Sequence, residues 1–97
     1  MATYIGLTHF TEQGVRSIKD TAKRADAVKA TASKFGATVK DIFWTLGRYD
    51  VVVIIEASDE LAATAFLMTI SSAGNTRSET LRAFSVDEMQ TVLSRMG

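Results

Sequence analysis

The chain has no cysteine, no proline and a single histidine in 97 residues. Without cysteine there are no disulfides, no thiolate metal sites and no cysteine nucleophile. Its absence fits a cytoplasmic address, because reducing compartments make no use of disulfides. One histidine, His9, leaves no cluster to hold zinc, so no metal and no cofactor is expected. No Gly-rich phosphate loop is spelled either: Gly6, Gly14 and Gly47 stand alone. Charge of one sign is also missing. Eleven basic and 11 acidic side chains cancel, which removes the bulk attraction that nucleic acid or an anionic membrane would need. The longest uncharged stretch, Leu61 to Thr76, carries Ser, Thr, Gly and Asn and is too short to span a bilayer. The N-terminus, Met1-Ala2-Thr3-Tyr4-Ile5, lacks a basic region and a long apolar run, so no signal peptide is expected.

What is present is apolar surface in excess of what a small chain can cover. From Ile42 to Ala57 the sequence reads as two strands hinged at Gly47, each apolar on both faces. Ile42, Trp44 and Leu46 point one way, and Phe43 and Thr45 the other. In the second strand Tyr49, Val51, Val53 and Ile55 share a face, with Asp50, Val52, Ile54 and Glu56 opposite. A half-solvated antiparallel strand should alternate apolar with polar. These strands need a cover on each side.

The remaining elements follow from period and caps. Ala2 to Phe10 alternates as a first strand, with Ile5 and Leu7 on one face and Tyr4 on the other. Thr11 and Glu12 start a helix. Its stripe, Val15, Ile18, Ala22, Ala25, Val28, Ala32 and Phe35, ends at Gly36 as a left-handed cap. Asp20 is placed to re-cap that helix at a break near Lys19. Ser58 is the expected N-cap of a second helix running to about Ala73. Leu61 to Ile70 is apolar on more than one stripe, so this helix should touch something on a second side. Arg77 to Phe84 reads as a fourth strand, with Arg77 and Glu79 opposite Ser78, Thr80 and Arg82. Ser85 and Glu88 have capping-box spacing before a short final helix with Met89, Val92, Leu93 and Met96 on one face.

The order β-α-β-β-α-β plus a C-terminal helix predicts one domain over residues 1–97. Its class is α+β, a ferredoxin-like sandwich with both main helices on one face of an antiparallel sheet. The other face is then bare. A second copy's sheet packed about 10 Å away is the economical cover.

Five side chains stand out as candidate ligand-binding residues: His9, Trp44, Tyr49, Asp50 and Arg77. His9 ends a strand beside a helix start, where an anion or a transferred proton is naturally placed. Asp50 is a carboxylate on an apolar strand. It either acts as a base or ties down its own turn through backbone N–H groups, and the second role is preferred. Trp44 is the sole tryptophan, with core packing or an interface as its default role. Tyr49 gives its ring to the core and its hydroxyl to a rim. Arg77 can clamp a carboxylate or phosphate, or pair with Glu56, Asp50 or a neighbouring subunit. His9, Trp44, Asp50 and Arg77 are expected to border one small, partly apolar site. The lysines and arginines of the first helical region, Arg24 among them, read as a solvated surface.

Trp44-Thr45-Leu46-Gly47-Arg48-Tyr49-Asp50 resembles the signature of the GYD family, small bacterial and archaeal proteins named for a Gly-x-Tyr-Asp element. Phe10-Thr11 with Gly14 is similar to that family's opening, and Lys23-Arg24-Ala25 to its first helix. Gly74-Asn75-Thr76-Arg77 and Thr80-Leu81-Arg82-Ala83-Phe84 resemble its fourth strand. The resemblance spans nearly the whole chain. It implies a dimeric α/β-barrel-like fold and supplies no reaction. Family members often carry a proline near Asp20-Thr21-Ala22; its absence here favours a continuous first helix.

Three functions compete. The first is a homo-oligomeric protein that binds a small organic metabolite. The second is a cofactor-free enzyme performing proton transfer or isomerisation in the same pocket. The third is a purely structural assembly module. The expected partners are the chain itself and a small molecule, with no nucleic acid and no membrane.

Overall fold

The computed structural model describes residues 1–97. Its elements run β1 (Ala2–Phe10), α1 (Glu12–Arg16), α2 (Thr21–Ala32), β2 (Ala37–Trp44), β3 (Val51–Ala57), α3 (Glu60–Ser72), β4 (Thr76–Ala83) and α4 (Val86–Ser94). The four strands form one antiparallel sheet in the order β2-β3-β1-β4. This is the ferredoxin-like βαββαβ arrangement with an added C-terminal helix.

Alternation along the strands sorts the side chains onto two faces. Tyr4, Gly6 and Thr8 of β1 are buried toward the helices, while Ile5, Leu7 and His9 point to the other side. Val51, Val53 and Ile55 join the helical face, and Val52 and Ile54 the open one. The tight core is Tyr4, Ala32, Ala37, Ile55, Ala57, Ala63 and Phe66. It gathers where β1 begins and β3 ends, since Ala2 pairs with Ala57 and Tyr4 with Ile55. No element of the chain covers the open face: Phe43 is 53% exposed and Leu81 47%.

Several local details depart from the sequence reading. The first helical region is not continuous; it breaks near Lys19, as its sequence also allowed. A 3₁₀ turn at Ile18–Asp20 separates α1 from α2, and a second at Ser33–Phe35 follows α2. Asp20 makes no capping bond, so it does not re-cap the helix. The break is held instead by Arg24, whose Nη1–H donates to the Ser17 carbonyl at 2.7 Å and Nη2–H to the Gly14 carbonyl at 3.3 Å. Asp59, not Ser58, caps α3 by accepting from the Ala62 N–H at 2.8 Å. The expected second contact of α3 is not made within the chain, for Leu61 is 82% exposed and Met68 68%.

The connection between β2 and β3 is a six-residue loop, Thr45 to Asp50, rather than a hinge at one glycine. It is closed by the Thr45 N–H to the Asp50 carbonyl at 2.8 Å and the Thr45 hydroxyl to the Tyr49 carbonyl at 2.5 Å. Gly47 sits in it at φ 108°, in the region glycine tolerates. Leu46 is wholly exposed and does not share the face of Ile42 and Trp44. Tyr49 also leaves the Val51 face, because the loop frees it from strand alternation. Glu56 pairs with Lys40 at 3.6 Å, not with an arginine; Lys40 is the bulged residue between Val39 and Asp41.

Two caps follow the sequence closely. Gly36 ends the first helical region at φ 68°, and Ser85 with Glu88 forms the full capping box of α4. Arg82 ties this helix back to the sheet. It pairs with Glu88 at 3.1 Å, donates to the Ala83 carbonyl and lies 4.5 Å from the Phe84 ring centroid. No residue of α4 is buried; Met89, Val92 and Leu93 remain exposed along it, and Met96 beyond its end.

Candidate functional site

The sheet separates the five sequence candidates onto different surfaces. His9 and Tyr49 meet on the open face, with ring centroids 4.9 Å apart. The Tyr49 hydroxyl donates to Glu79 Oε2 at 3.3 Å. Arg48 lies 5.5 Å from the Tyr49 ring centroid. Arg77 is the β4 partner of His9 in the register and shares this face. It forms no ion pair with Glu56 or Asp50. Asp50 stands at the end of the β2–β3 loop, just before β3. Its N–H donates to the Thr8 carbonyl at 2.9 Å, and its Oδ2 accepts from the Phe10 N–H at 2.8 Å. The carboxylate therefore continues the β1–β3 ladder one step beyond the strand. It does tie down backbone, though that of β1 rather than its own turn.

Trp44 is on the opposite, helical face. Its Nε1–H donates to Thr21 Oγ1 at 3.0 Å, and it walls a half-open cavity of about 90 Å³ between sheet and helices. The floor is Thr8, Val53 and Ser78, and the roof is α2 and α3 through Val28, Phe66 and Ile70. The cavity has a local cause. The packed core occupies the other end of the sheet, and here small side chains, Ala25, Thr8 and Ser78, leave the helices and sheet unfilled.

Arg24 also lines this cavity, and sequence reasoning missed it by assigning it to solvent. The signal was there in the spacing. Thr21, Arg24, Ala25 and Val28 fall at i, i+3, i+4 and i+7, one helical stripe. No carboxylate lies within ion-pair distance of Arg24. Elsewhere in the chain, no three metal-ligating side chains converge, and no helix is long and apolar enough to cross a membrane.

The one shifted titration is remote from both surfaces. The Glu88 carboxyl is held below its ordinary range, first by the Ser85 backbone N–H and then by Arg82.

A family model for the GYD domain matches residues 4–93. The chain belongs to the GYD domain family. Its loop carries the Gly47-Arg48-Tyr49-Asp50 element, which here stacks Tyr49 on His9 and extends the ladder through Asp50. A relative from Thermus thermophilus, named glutamine synthetase and cystathionine beta-lyase binding protein, is 28% identical over 90 residues. The match covers 92% of this GYD domain and 95% of the relative. A crystal structure of a protein from the same organism superposes with a TM-score of 0.58 at 22% identity, over 89% of this chain and 96% of that one. That likeness shows the fold.

Proposed function

We propose that this GYD domain is a self-associating binding protein. It pairs with a second copy through the open sheet face, holds a small organic metabolite in the cavity behind that sheet, and docks onto partner proteins. The observation that carries the reading is the open face itself. Ile5, Leu7, Val52, Ile54, Phe43 and Leu81 form an apolar surface that nothing in the chain covers. Surfaces of this kind on a small domain mark interaction sites, and a facing sheet satisfies the packing of an aligned sandwich. The exposed apolar stripe of α4 adds a second docking element. Protein partners are supported by the relative's name, which describes a protein that binds two enzymes.

The geometry favours binding over proton transfer in the cavity. His9 projects from the opposite face of the sheet, and the Asp50 carboxylate is engaged by the Phe10 N–H. His9, Tyr49, Glu79 and Arg77 instead border the apolar patch as the polar rim of a self-association surface.

Sedimentation at low micromolar concentration tests the association. Wild type is expected to show no stable monomer, and Ile54→Asp to give a folded monomer. A monodisperse wild-type monomer overturns the assembly. Co-elution with purified glutamine synthetase or cystathionine beta-lyase tests the partner arm, and free elution from both would remove its support.

A further inference from the structure

We propose that the sheet–helix cavity takes a small monocarboxylate. Its apolar body would be enclosed between Trp44, Val53 and Ile70, and its carboxylate held at the mouth by Arg24. The inference rests on the binding reading and specifies the ligand chemistry. It follows from an inventory of donors and acceptors around the cavity.

The wall is mostly apolar, and its only charge is positive. No Asp or Glu lines it. Arg24 is the one charged residue there. It commits two N–H groups to the Ser17 and Gly14 carbonyls, while a guanidinium carries five. Thr21 Oγ1 accepts from the Trp44 indole, which leaves its own O–H to donate. Thr8 and Ser78 share one hydrogen bond at 2.9 Å, so one hydroxyl proton of the pair remains. Thr8 is 6% exposed, and its hydroxyl is already satisfied by Ser78, which is exposed. The cavity therefore presents available donors and a positive charge without a matching anion. The complement is an acceptor-rich, singly anionic head on an apolar body. A planar guanidinium fork beside a hydroxyl suits a carboxylate in particular. The volume of about 90 Å³ is below the roughly 150 Å³ that encloses a whole benzene ring, so a ring enters only in part and its polar end stays at the open mouth.

Benzoate and benzamide test this directly, because they share a body and differ in charge. Binding is read from Trp44 fluorescence and mapped by amide chemical shifts. The expected result is shifts centred on Thr8, Val53 and Ser78, with benzoate binding about tenfold more tightly than benzamide, as a charge-assisted hydrogen bond supplies. That preference should shrink at high salt. Arg24→Gln should erase it, bringing benzoate down to the affinity of benzamide, with a dispersed amide spectrum showing that the variant is folded. If Arg24→Gln does not fold, the wild-type ratio and its salt dependence decide. Ala25→Leu, which fills the cavity, should abolish binding of both. Equal affinity for the two probes, no binding of either, or shifts confined to Leu7, Ile54 and Leu81 on the open face would each overturn the proposal. The outcome is separable from the broader function. Loss of probe binding in a protein that still self-associates refutes only the ligand assignment. Benzoate binding by a stable monomer that docks no enzyme refutes the assembly and leaves this site standing.

Discussion

Replacing Gly14 with alanine sets two effects of opposite sign against each other. Gly14 is the middle residue of the five-residue α1, and by helix propensity alone alanine should gain about 1 kcal/mol. Packing opposes this. A Cβ at Gly14 would lie 2.1 Å from the Asn75 carbonyl oxygen, where ordinary contact begins near 3.4 Å. The obstacle is backbone, which cannot swing aside as a side chain can. Relief requires α1 and the α3–β4 turn to separate by about 1 Å. Those segments are fastened to each other. The Thr11 N–H donates to the Asn75 carbonyl at 3.0 Å, the Thr11 hydroxyl to the Gly74 carbonyl at 2.6 Å, and Gln13 Nε2 to the Ala73 carbonyl at 3.2 Å. Overpacking costs about 1–3 kcal/mol, and each strained hydrogen bond adds about 1 kcal/mol. The sum outweighs the propensity gain, for a net loss of about 3–5 kcal/mol. In a chain of this size that lowers Tm by roughly 15–25 °C. Urea unfolding followed by Trp44 fluorescence gives the midpoint, with protein concentration held fixed so that self-association cannot shift it between variants. An unchanged slope with a lowered midpoint is expected. A midpoint equal to or above wild type would refute the packing argument.

Asp50→Ala should cost about 1–3 kcal/mol, since it leaves the Phe10 N–H without its acceptor. Asp50→Asn keeps an acceptor oxygen and should be milder, with slowed exchange of the Phe10 amide retained. A folded Asp50→Asn that had lost benzoate binding would contradict the structural role. The Glu88 carboxyl, held below its ordinary value of 4.5 by the Ser85 N–H and then Arg82, makes the start of α4 sensitive to acid. Its contribution is present above the unfolded value and is lost as pH falls through the lowered folded one. Amide exchange in the first turn of α4 should rise on acidification, and Glu88→Gln should flatten that response. A Glu88 side chain titrating at or above 4.5 in NMR would refute it.

Short-range chemistry was legible along the chain. Alternation placed Tyr4 opposite Ile5 and Ser78 opposite Arg77. Gly36 and the Ser85–Glu88 pair marked helix ends through bonds spanning a few residues, and the doubly apolar strands announced a sheet face lacking a cover. From these the ferredoxin-like order followed. What only the tertiary structure decided depends on distant segments meeting. Tyr49 reached the open face because a six-residue loop released it from strand periodicity and Glu79, 30 residues away, received its hydroxyl. Asp50 became a rung of the ladder because Phe10, 40 residues away, offered an N–H. Trp44 and His9 parted because the sheet lies between them, a division that residue spacing along the chain does not reveal. Arg24 has the spacing of a cavity residue and the charge of a surface one. Its placement was settled by where α2 crosses the sheet and by how little side-chain volume Ala25, Thr8 and Ser78 left beneath it. A cavity is a failure of non-local packing, and no periodicity within one segment records it.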